Sequence, residues 1–199
     1  MSKQKDHTTQ SGATQETRDR IITAAYKVLA EKGYDATTLR EISKEADAAP
    51  GLVHYYFGGK DQLLVEVLKE VGKRYEQMAK QTMQPTTESD LLHMVLQKPI
   101  DQIIEGPEWY RLRQELFALG LHNALIAPQV SELLAEGRAS IASTIKHAFG
   151  ETTIEPTVIA TLLLAFFDGL ALQKIMDPDL DISMIADVLA HILLSFAKK

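Results

Sequence analysis

Residues 37–64 read TTLREISKEADAAPGLVHYYFGGKDQLL, and this stretch decides the fold of the chain. Thr38, followed three residues later by Glu41, has the form of a capping box and predicts that a short helix begins here and covers about 39–46. A second short helix follows at about 50–57, opened by a proline and closed by two glycines. Two short helices joined by about four residues are typical of a helix-turn-helix, in which the second helix reads DNA.

Helical periodicity continues on both sides of this stretch. Apolar residues recur at helical spacing from Thr17 to Gly33, which predicts a first helix, whereas residues 1–15 are polar and predict a disordered arm. A long helix is predicted from Lys60 to just before Pro85. Proline and glycine breaks divide the remainder into five further predicted helices, at 89–104, 107–122, 128–149, 156–176 and 181–197. The predicted fold class is all-α, with about nine helices.

The two predicted domains differ in charge. We place a three-helix DNA-binding domain at 16–60 and a larger helical domain for ligand binding and dimerisation at 61–199. Residues 1–60 carry nine Lys or Arg and eight Asp or Glu, whereas residues 61–199 carry twelve and nineteen. The net charge of −6 therefore belongs to the larger domain, and the smaller one can still present a local basic face to DNA.

Several classes of protein are disfavoured by what the sequence lacks. The chain has no cysteine, so disulfide scaffolds and thiolate zinc sites are excluded. It has no HExxH, Walker or GxSxG motif and no paired metal-ligand spacing, so we predict neither catalysis nor a cofactor or metal. The apolar run at 158–167 is shorter than the ~20 residues of a membrane span. We predict a cytoplasmic protein without a membrane partner; a helical ligand-binding protein or enzyme with no DNA role stays open as the alternative.

The surface of the two short helices supplies the candidate DNA contacts. A helix as short as 50–57 buries one face, which we expect to be Val53 and Phe57. Tyrosine and histidine side chains on the other face can bond phosphate oxygens and base edges, although one of the two tyrosines is expected to pack partly inward. The predicted DNA-binding residues are Thr38, Arg40, Pro50, Gly51, Leu52, His54, Tyr55, Tyr56 and Lys60.

Three of these residues have distinct expected roles. Thr38 stands at a helix N-terminus, where exposed N–H groups and the helix dipole favour a phosphate. Arg40 can bond a guanine through both guanidinium nitrogens, or it instead forms a surface ion pair with Glu41 or Glu45. Lys60 is placed to reach the same DNA strand, or it is a solvated surface lysine.

The stretch from Thr17 to Leu64 resembles the N-terminal DNA-binding domain of the TetR family of transcriptional repressors. The resemblance rests on the Gly33-Tyr34 break, Thr37-Thr38, Ile42, Ala46, Gly51, Tyr-Tyr-Phe at 55–57 and Lys60 followed by Leu63-Leu64. The segment DGLALQ at 168–173, followed by DPDLD, resembles the C-terminal domain of the subgroup that includes the repressor BetI. The resemblance implies a dimeric repressor that binds palindromic double-stranded operator DNA and is released by a small-molecule effector.

The chain departs from the family pattern at three positions. Asp47 stands in the turn where the family commonly has Gly, and Ala49 stands where Ser or Thr usually caps the recognition helix. His54 replaces the usual Tyr, so base preferences of relatives do not carry over to this chain.

The last two predicted helices are apolar on more than one face. A monomer would expose this surface, so we predict a two-fold homodimer that buries it in a four-helix bundle, as the family resemblance also implies. The predicted interface residues are Leu162, Phe166, Leu170, Val188, Ile192 and Leu193.

Aromatic, methionine and polar residues are concentrated in the middle of the larger domain. They predict an effector pocket lined by Met78, Met94, Trp109, Tyr110, Arg113, Phe117, His122 and Phe166. The alternative for each apolar member is that it fills the core. Asp168 lies within an apolar helix, and the sequence does not decide whether it points into the pocket or lies near the dimer edge.

Overall fold

The computed structural model describes residues 5–82 and 92–194, and these contain nine α-helices and no β-strand. The all-α class expected from the sequence is confirmed. The helices are α1 (Lys5–Ala36), α2 (Leu39–Glu45), α3 (Pro50–Phe57), α4 (Lys60–Thr82), α5 (Lys98–Glu105), α6 (Glu108–His122), α7 (Ala127–Phe149), α8 (Pro156–Met176) and α9 (Ile185–Leu194).

The chain divides into two compact units, Met1–Gly72 and Lys73–Lys199, which we call the N-terminal unit and the C-terminal unit. This division lies within α4. The boundary predicted from the sequence, between residues 60 and 61, falls instead at the start of that helix. The difference arises because the first three turns of α4 belong to the core of the N-terminal unit.

One apolar core holds the N-terminal unit together. Its fully buried side chains come from all four helices: Ile21, Ile22, Leu29, Ile42, Val53, Leu63, Leu64 and Leu68. Gly33 interrupts α1 with a φ of 76°, a conformation that glycine adopts without a steric cost. The α1 backbone is helical from Lys5, so the arm predicted at 1–15 differs from the structure over 5–15, where no proline stops the helix from propagating.

A π-helical turn at His93–Gln97 leads into α5. Here the backbone N–H of Lys98 donates to the carbonyl of His93, five residues earlier. Pro99 has no N–H to continue the α-helical pattern, which accounts for the wider turn just before it. The helix predicted at 89–104 is therefore a π turn followed by α5, and its residues 89–91 lie outside the described residues.

The last helix starts later than predicted, at Ile185 rather than at residue 181. A loop precedes it because Lys174 at the end of α8 donates to the carbonyls of Pro178 and Leu180, at 2.6 and 2.7 Å. The Asp181 carboxylate also accepts from the backbone N–H of Ser183. Residues 195–197 of the predicted helix lie outside the described part of the chain.

In the C-terminal unit, α8 packs against α5, α6 and α7. This helix is long and apolar enough to cross a membrane by length and composition, and 33% of its most apolar window is buried. Its inner face includes Ile159, Leu163 and Phe167. The outer face of α8 therefore stays apolar and exposed in the single chain.

Candidate nucleic-acid interface and effector pocket

The start of α2 is fixed by the predicted capping box. The Thr38 hydroxyl accepts from the Glu41 backbone N–H at 3.3 Å, and the Glu41 carboxylate accepts from the Thr38 backbone N–H at 3.0 Å. Lys32 on α1 donates to the same carboxylate at 2.6 Å. The Lys32 and Thr38 hydrogen bonds lower the pKa of Glu41 to about 2, so this carboxylate stays charged and ties α2 to α1.

Asp47 ends α2 in a left-handed conformation, with a φ of 46°. The N–H groups of Asp47 and Ala48 donate back to the carbonyls of Lys44 and Ser43, the pattern of a Schellman motif. Arg20 on α1 donates to the Asp47 carbonyl at 2.9 Å. The turn therefore has the geometry for which glycine is the usual residue, and the aspartate adopts it.

Helix α3 buries one face and exposes the other, as its sequence predicts. Val53 and Phe57 are buried, whereas His54 is exposed and Tyr55 is 79% exposed. Tyr56 is half-buried and meets the ring of Tyr55 edge-on, at 5.3 Å between centroids. The inward-packed tyrosine that the sequence analysis expects is thus Tyr56.

The N-terminal end of α3 is open. Ala49 provides no side-chain cap, and Pro50 occupies the first turn. Pro50 and Gly51 are exposed, Leu52 is half-buried, and nothing lies within 4 Å of the place where a Cβ on Gly51 would stand. A phosphate or a base edge can therefore approach the backbone here.

Arg40 is exposed, and its expected ion-pair partners are occupied by other residues. Glu41 pairs with Lys32, and Glu45 pairs with Lys27 at 2.6 Å. These two pairs connect α2 to α1, and the side chain of Arg40 is exposed to solvent.

Lys60 bonds two backbone carbonyls that its position in the sequence does not predict. Its ammonium donates to the carbonyls of Tyr34 and Thr37, at 2.9 and 3.1 Å. The ammonium also lies 4.2 Å from the centroid of the Tyr34 ring. Lys60 is half-buried and is therefore not the solvated lysine of the alternative interpretation.

The contacts of Arg18 are likewise not predicted by the sequence. Its guanidinium pairs with Glu66 on α4 at 2.5 Å and lies 5.5 Å from the Phe57 ring centroid. This one side chain therefore connects α1, α3 and α4. Arg18 lies in a polar part of α1, and nothing in that pattern predicts a contact with Glu66 or Phe57.

An open groove of about 880 Å³ lies between α1 and the C-terminal end of α2. Its lining includes Asp19, Lys27, Glu45 and Asp47. Two of its charged residues, Lys27 and Glu45, form an ion pair, and Arg20 donates to the Asp47 backbone carbonyl. The groove is therefore part of the packing that orients α2.

In the C-terminal unit, Arg113 and Asp168 form a buried ion pair between α6 and α8. The guanidinium donates to the two carboxylate oxygens at 3.0 and 2.8 Å, and the two side chains are 8% and 14% exposed. The rings of Trp109 and Phe117 lie 5.8 and 4.9 Å from the guanidinium carbon. Asp168 thus points into the helical bundle, which resolves the choice left open by the sequence.

The other predicted pocket residues lie in different environments. Trp109 and Tyr110 are buried, and burial raises the pKa of the Tyr110 hydroxyl. Phe117 and Phe166 are half-buried, whereas His122 is exposed at the end of α6. The side chains of Met78 and Met94 lie outside what the structure describes.

The predicted dimer residues divide into two groups. Leu162, Val188 and Ile192 are 59%, 55% and 46% exposed, and Phe166 is half-buried. Leu170 and Leu193 are each only 6% exposed, because they pack in the core of their own chain. These two leucines are corrected from interface residues to core residues.

Two family descriptions match the chain. Residues 21–67 match "Bacterial regulatory proteins, tetR family", and residues 89–197, more than half of the chain, match "BetI-type transcriptional repressor, C-terminal". The chain belongs to the TetR family. It is a TetR-family transcriptional regulator with a helix-turn-helix DNA-binding domain and a BetI-type C-terminal domain.

Curated relatives of this TetR-family chain match it in part. The HbdR regulator of Aromatoleum sp. (strain CIB) is 46% identical over 63 residues, which are 32% of this chain and 28% of HbdR. The fatty acid metabolism regulator protein of Bacillus subtilis is 34% identical over 79 residues, 39% of this chain and 41% of that protein. The chain thus matches less than half the length of these relatives, both of which are named as regulators.

Solved structures with the same fold cover most of the chain. A TetR-family regulator from Rhodococcus sp. superposes with a TM-score of 0.76 at 20% identity, covering 92% of this chain and 100% of the other. FadR from Bacillus subtilis in complex with stearoyl-CoA superposes with a TM-score of 0.60 at 19% identity, covering 89% and 98%. These likenesses support the fold of this TetR-family member.

Proposed function

We propose that this chain is a transcriptional repressor that binds palindromic operator DNA as a homodimer and is released by a small-molecule effector. The observation that carries the proposal is the outer face of α3. There Tyr55 is 79% exposed beside His54, on a helix whose other face is fixed in the core by Val53 and Phe57. Such a rigid, polar and aromatic face suits the major groove.

The proposed DNA contacts follow from exposure and chemistry. Arg40, His54 and Tyr55 read base edges or bond phosphates, since all three side chains face solvent. The open backbone at Pro50 and Gly51, with the neighbouring Leu52 and Tyr56, lies against one DNA strand. Thr38 brings the α2 N-terminus to a phosphate.

The proposed dimer forms through the outer faces of α8 and α9. The exposed apolar side chains include Val158, Leu162, Leu172 and Met176 on α8, Val188 and Ile192 on α9, and Met184 just before α9. A surface of this kind on a monomer is an aggregation hazard, and a two-fold pairing of identical faces buries it. Two-fold symmetry also matches a palindromic operator.

The proposed effector site is the aromatic region around Arg113 on α6. The Trp109 and Phe117 rings beside the Arg113–Asp168 pair give a ligand an apolar wall next to a polar pair. Effector binding that favours the DNA-free state tenfold to a hundredfold supplies roughly 1.4–2.7 kcal/mol of coupling. We expect Phe117→Trp to change the effector response and to leave ligand-free DNA affinity nearly intact. As a repressor, the protein works in the cytoplasm.

The test begins with selection of a duplex from a random pool by the full chain. Binding of the selected duplex is then titrated over a salt series, and affinity should fall steeply with salt because phosphate contacts release counterions. Tyr55→Ala and Arg40→Ala should each weaken binding, whereas Lys146→Ala, an exposed lysine on α7, should not. If no duplex is selected, or if all three variants bind DNA with the same affinity, a ligand-binding protein without a DNA role is favoured.

The effector arm of the test uses two measurements. Mass spectrometry of small molecules that co-purify with the protein identifies natural occupants. Stearoyl-CoA, named in the Bacillus subtilis FadR structure, is a defined first probe. Release of the selected duplex by a bound molecule supports the proposal, and a bound molecule that never changes DNA affinity counts against it.

A further inference from the structure

Lys60 opens α4, yet its ammonium binds the segment between α1 and α2. It donates to the carbonyl of Tyr34 at 2.9 Å and to the carbonyl of Thr37 at 3.1 Å. These two carbonyls flank the turn that leads out of α1, and Thr38, the N-cap of α2, follows directly. The position of the first turn of α2 is therefore tied to the first turn of α4.

A second contact holds the same turn from the next residue of α4. The Tyr34 hydroxyl donates to the carboxylate of Asp61. Burial and this hydrogen bond raise the pKa of Tyr34, so the hydroxyl keeps its proton and remains a donor. Lys60 and Asp61 thus hold Tyr34 at both ends, one through the backbone carbonyl and the other through the phenol.

The position of Lys60 at the N-terminus of α4 makes its carbonyl partners energetically important. A cation at a helix N-terminus is disfavoured by the helix dipole, so Lys60 gains from the two carbonyl partners and from the Tyr34 ring face, 4.2 Å away. Charge-assisted hydrogen bonds of this kind are strong, and their loss would leave the two carbonyls without this donor.

We propose that Lys60 is a positioning residue for operator recognition, which sets Thr38 and Arg40 in place through the α1–α2 turn. This role replaces the phosphate contact expected from the sequence, and it rests on the proposed function of α2 and α3 in DNA binding. Two of the three ammonium protons are already used within the chain. Loss of Lys60 should therefore harm the recognition of one sequence more than general attraction to DNA.

The experiment compares Lys60→Met with wild type on a duplex selected by the wild type and on a random duplex. The expected result is a loss of about tenfold on the selected duplex and less than threefold on the random one, with an unchanged slope of log affinity against log salt. A phosphate contact would instead lower affinity on both duplexes alike and reduce the slope by about 0.9. That result would overturn the proposal.

Lys60→Gln provides a rescue that separates the two roles. Glutamine is neutral, yet its amide N–H groups can still donate to a carbonyl. Positioning predicts that the Gln variant recovers part of the selected-duplex affinity lost in the Met variant. A phosphate role predicts that the lowered salt slope does not recover in Lys60→Gln, because the charge is absent in both variants.

A measurement without DNA keeps this proposal distinct from the proposed function. Amide hydrogen exchange across α2 in the full chain should become about tenfold faster in Lys60→Met and stay unchanged in Lys44→Met, an exposed lysine of the same helix. Unchanged exchange would overturn the positioning role even if the protein binds DNA. Faster exchange in a protein that selects no duplex would support the Lys60 link and refute the DNA function.

Discussion

The guanidinium of Arg113 on α6 donates two hydrogen bonds, of 3.0 and 2.8 Å, to the two carboxylate oxygens of Asp168 on α8. Gln114 donates to the backbone carbonyl of Asp168 at 3.0 Å, so two neighbouring residues of α6 fix one residue of α8. Fifty-five positions separate the paired residues in the chain. A bidentate pair with this little exposure is sensitive to the loss of either partner.

Removing one partner of this pair should cost more than removing both. Arg113→Met or Asp168→Leu leaves a buried charge without its partner, and we expect each to lower the free energy of unfolding by about 3–5 kcal/mol. The double variant should recover much of that loss. Denaturant unfolding at one fixed chain concentration measures all three, and additive single losses would contradict the expectation.

The exposed pair of Lys27 and Glu45 is the matched control. Its side chains are 59% and 40% exposed, so solvent screens the attraction. Lys27→Met should change stability far less than Arg113→Met does.

A charge on the outer face of α8 or of α9 should separate the proposed dimer. Leu162→Glu and Val188→Glu each place a carboxylate in an apolar contact, and we expect monomers in sedimentation velocity. Leu125→Glu is the control, because Leu125 is 82% exposed yet lies outside α8 and α9. A wild-type protein that sediments as a monomer would refute the interface, as would dimers in both variants.

Two glycines in helices should respond to alanine in opposite directions. A Cβ on Gly120 would stand 2.7 Å from Val130 Cγ2, so Gly120→Ala forces a shift and should cost about 1–3 kcal/mol. A Cβ on Gly137 would meet Leu164 at 3.6 Å, an ordinary contact, and Gly137→Ala should gain up to about 1 kcal/mol of helix propensity.

Thermal unfolding measures both glycine variants. Val130→Ala should partly rescue Gly120→Ala, because it removes the methyl groups that the new Cβ meets. Equal midpoints for Gly120→Ala and Gly137→Ala would mean that α6 and α7 do not approach as closely as described.

The Glu41 carboxylate of the α2 capping box should make the stability of the fold depend on pH in the acid range. Its bonds to Lys32 and Thr38 lower the pKa of Glu41 from 4.5 to about 2. The folded pKa lies below the unfolded one, so the stabilisation is complete above pH 4.5 and is lost as pH falls towards 2. The difference in midpoint between wild type and Glu41→Gln should therefore shrink below pH 4.5.

Lys32→Met tests the cause of this dependence. It removes the strongest contribution to the lowered pKa, so the pH-dependent difference between a Glu and a Gln at position 41 should become smaller. A difference that stays constant from pH 5.5 to pH 2.5 would show that the capping box does not set the pKa.

Local sequence patterns were sufficient to predict the helices and the exposed face of α3. Thr38 and Glu41 predict their cap from a three-residue spacing, and Val53 and Phe57 predict their burial from a four-residue spacing. Each of these features depends on neighbours along one helix turn. Such features can be obtained from a sequence because the backbone geometry alone brings the residues together.

Features that depend on distant residues were not predictable in the same way. Leu170 and Leu193 lie on helices that are apolar on several faces, so periodicity cannot tell the inner face from the outer one. The bonds of Lys60 need the three-dimensional course of the chain between α1 and α2. Arg113 and Asp168 were each noticed, but only the packing of α6 on α8 shows that they are partners.

The exposed apolar face of α8 has a consequence for the amount of protein needed. A pair held through this face obeys mass action, so each doubling of the chain concentration favours association by about 0.4 kcal/mol. Because only the pair presents two recognition helices to a palindrome, occupancy of the operator should rise more steeply than in proportion to the number of chains. In the proposed switch, the abundance of the protein would thereby be a second input alongside the effector.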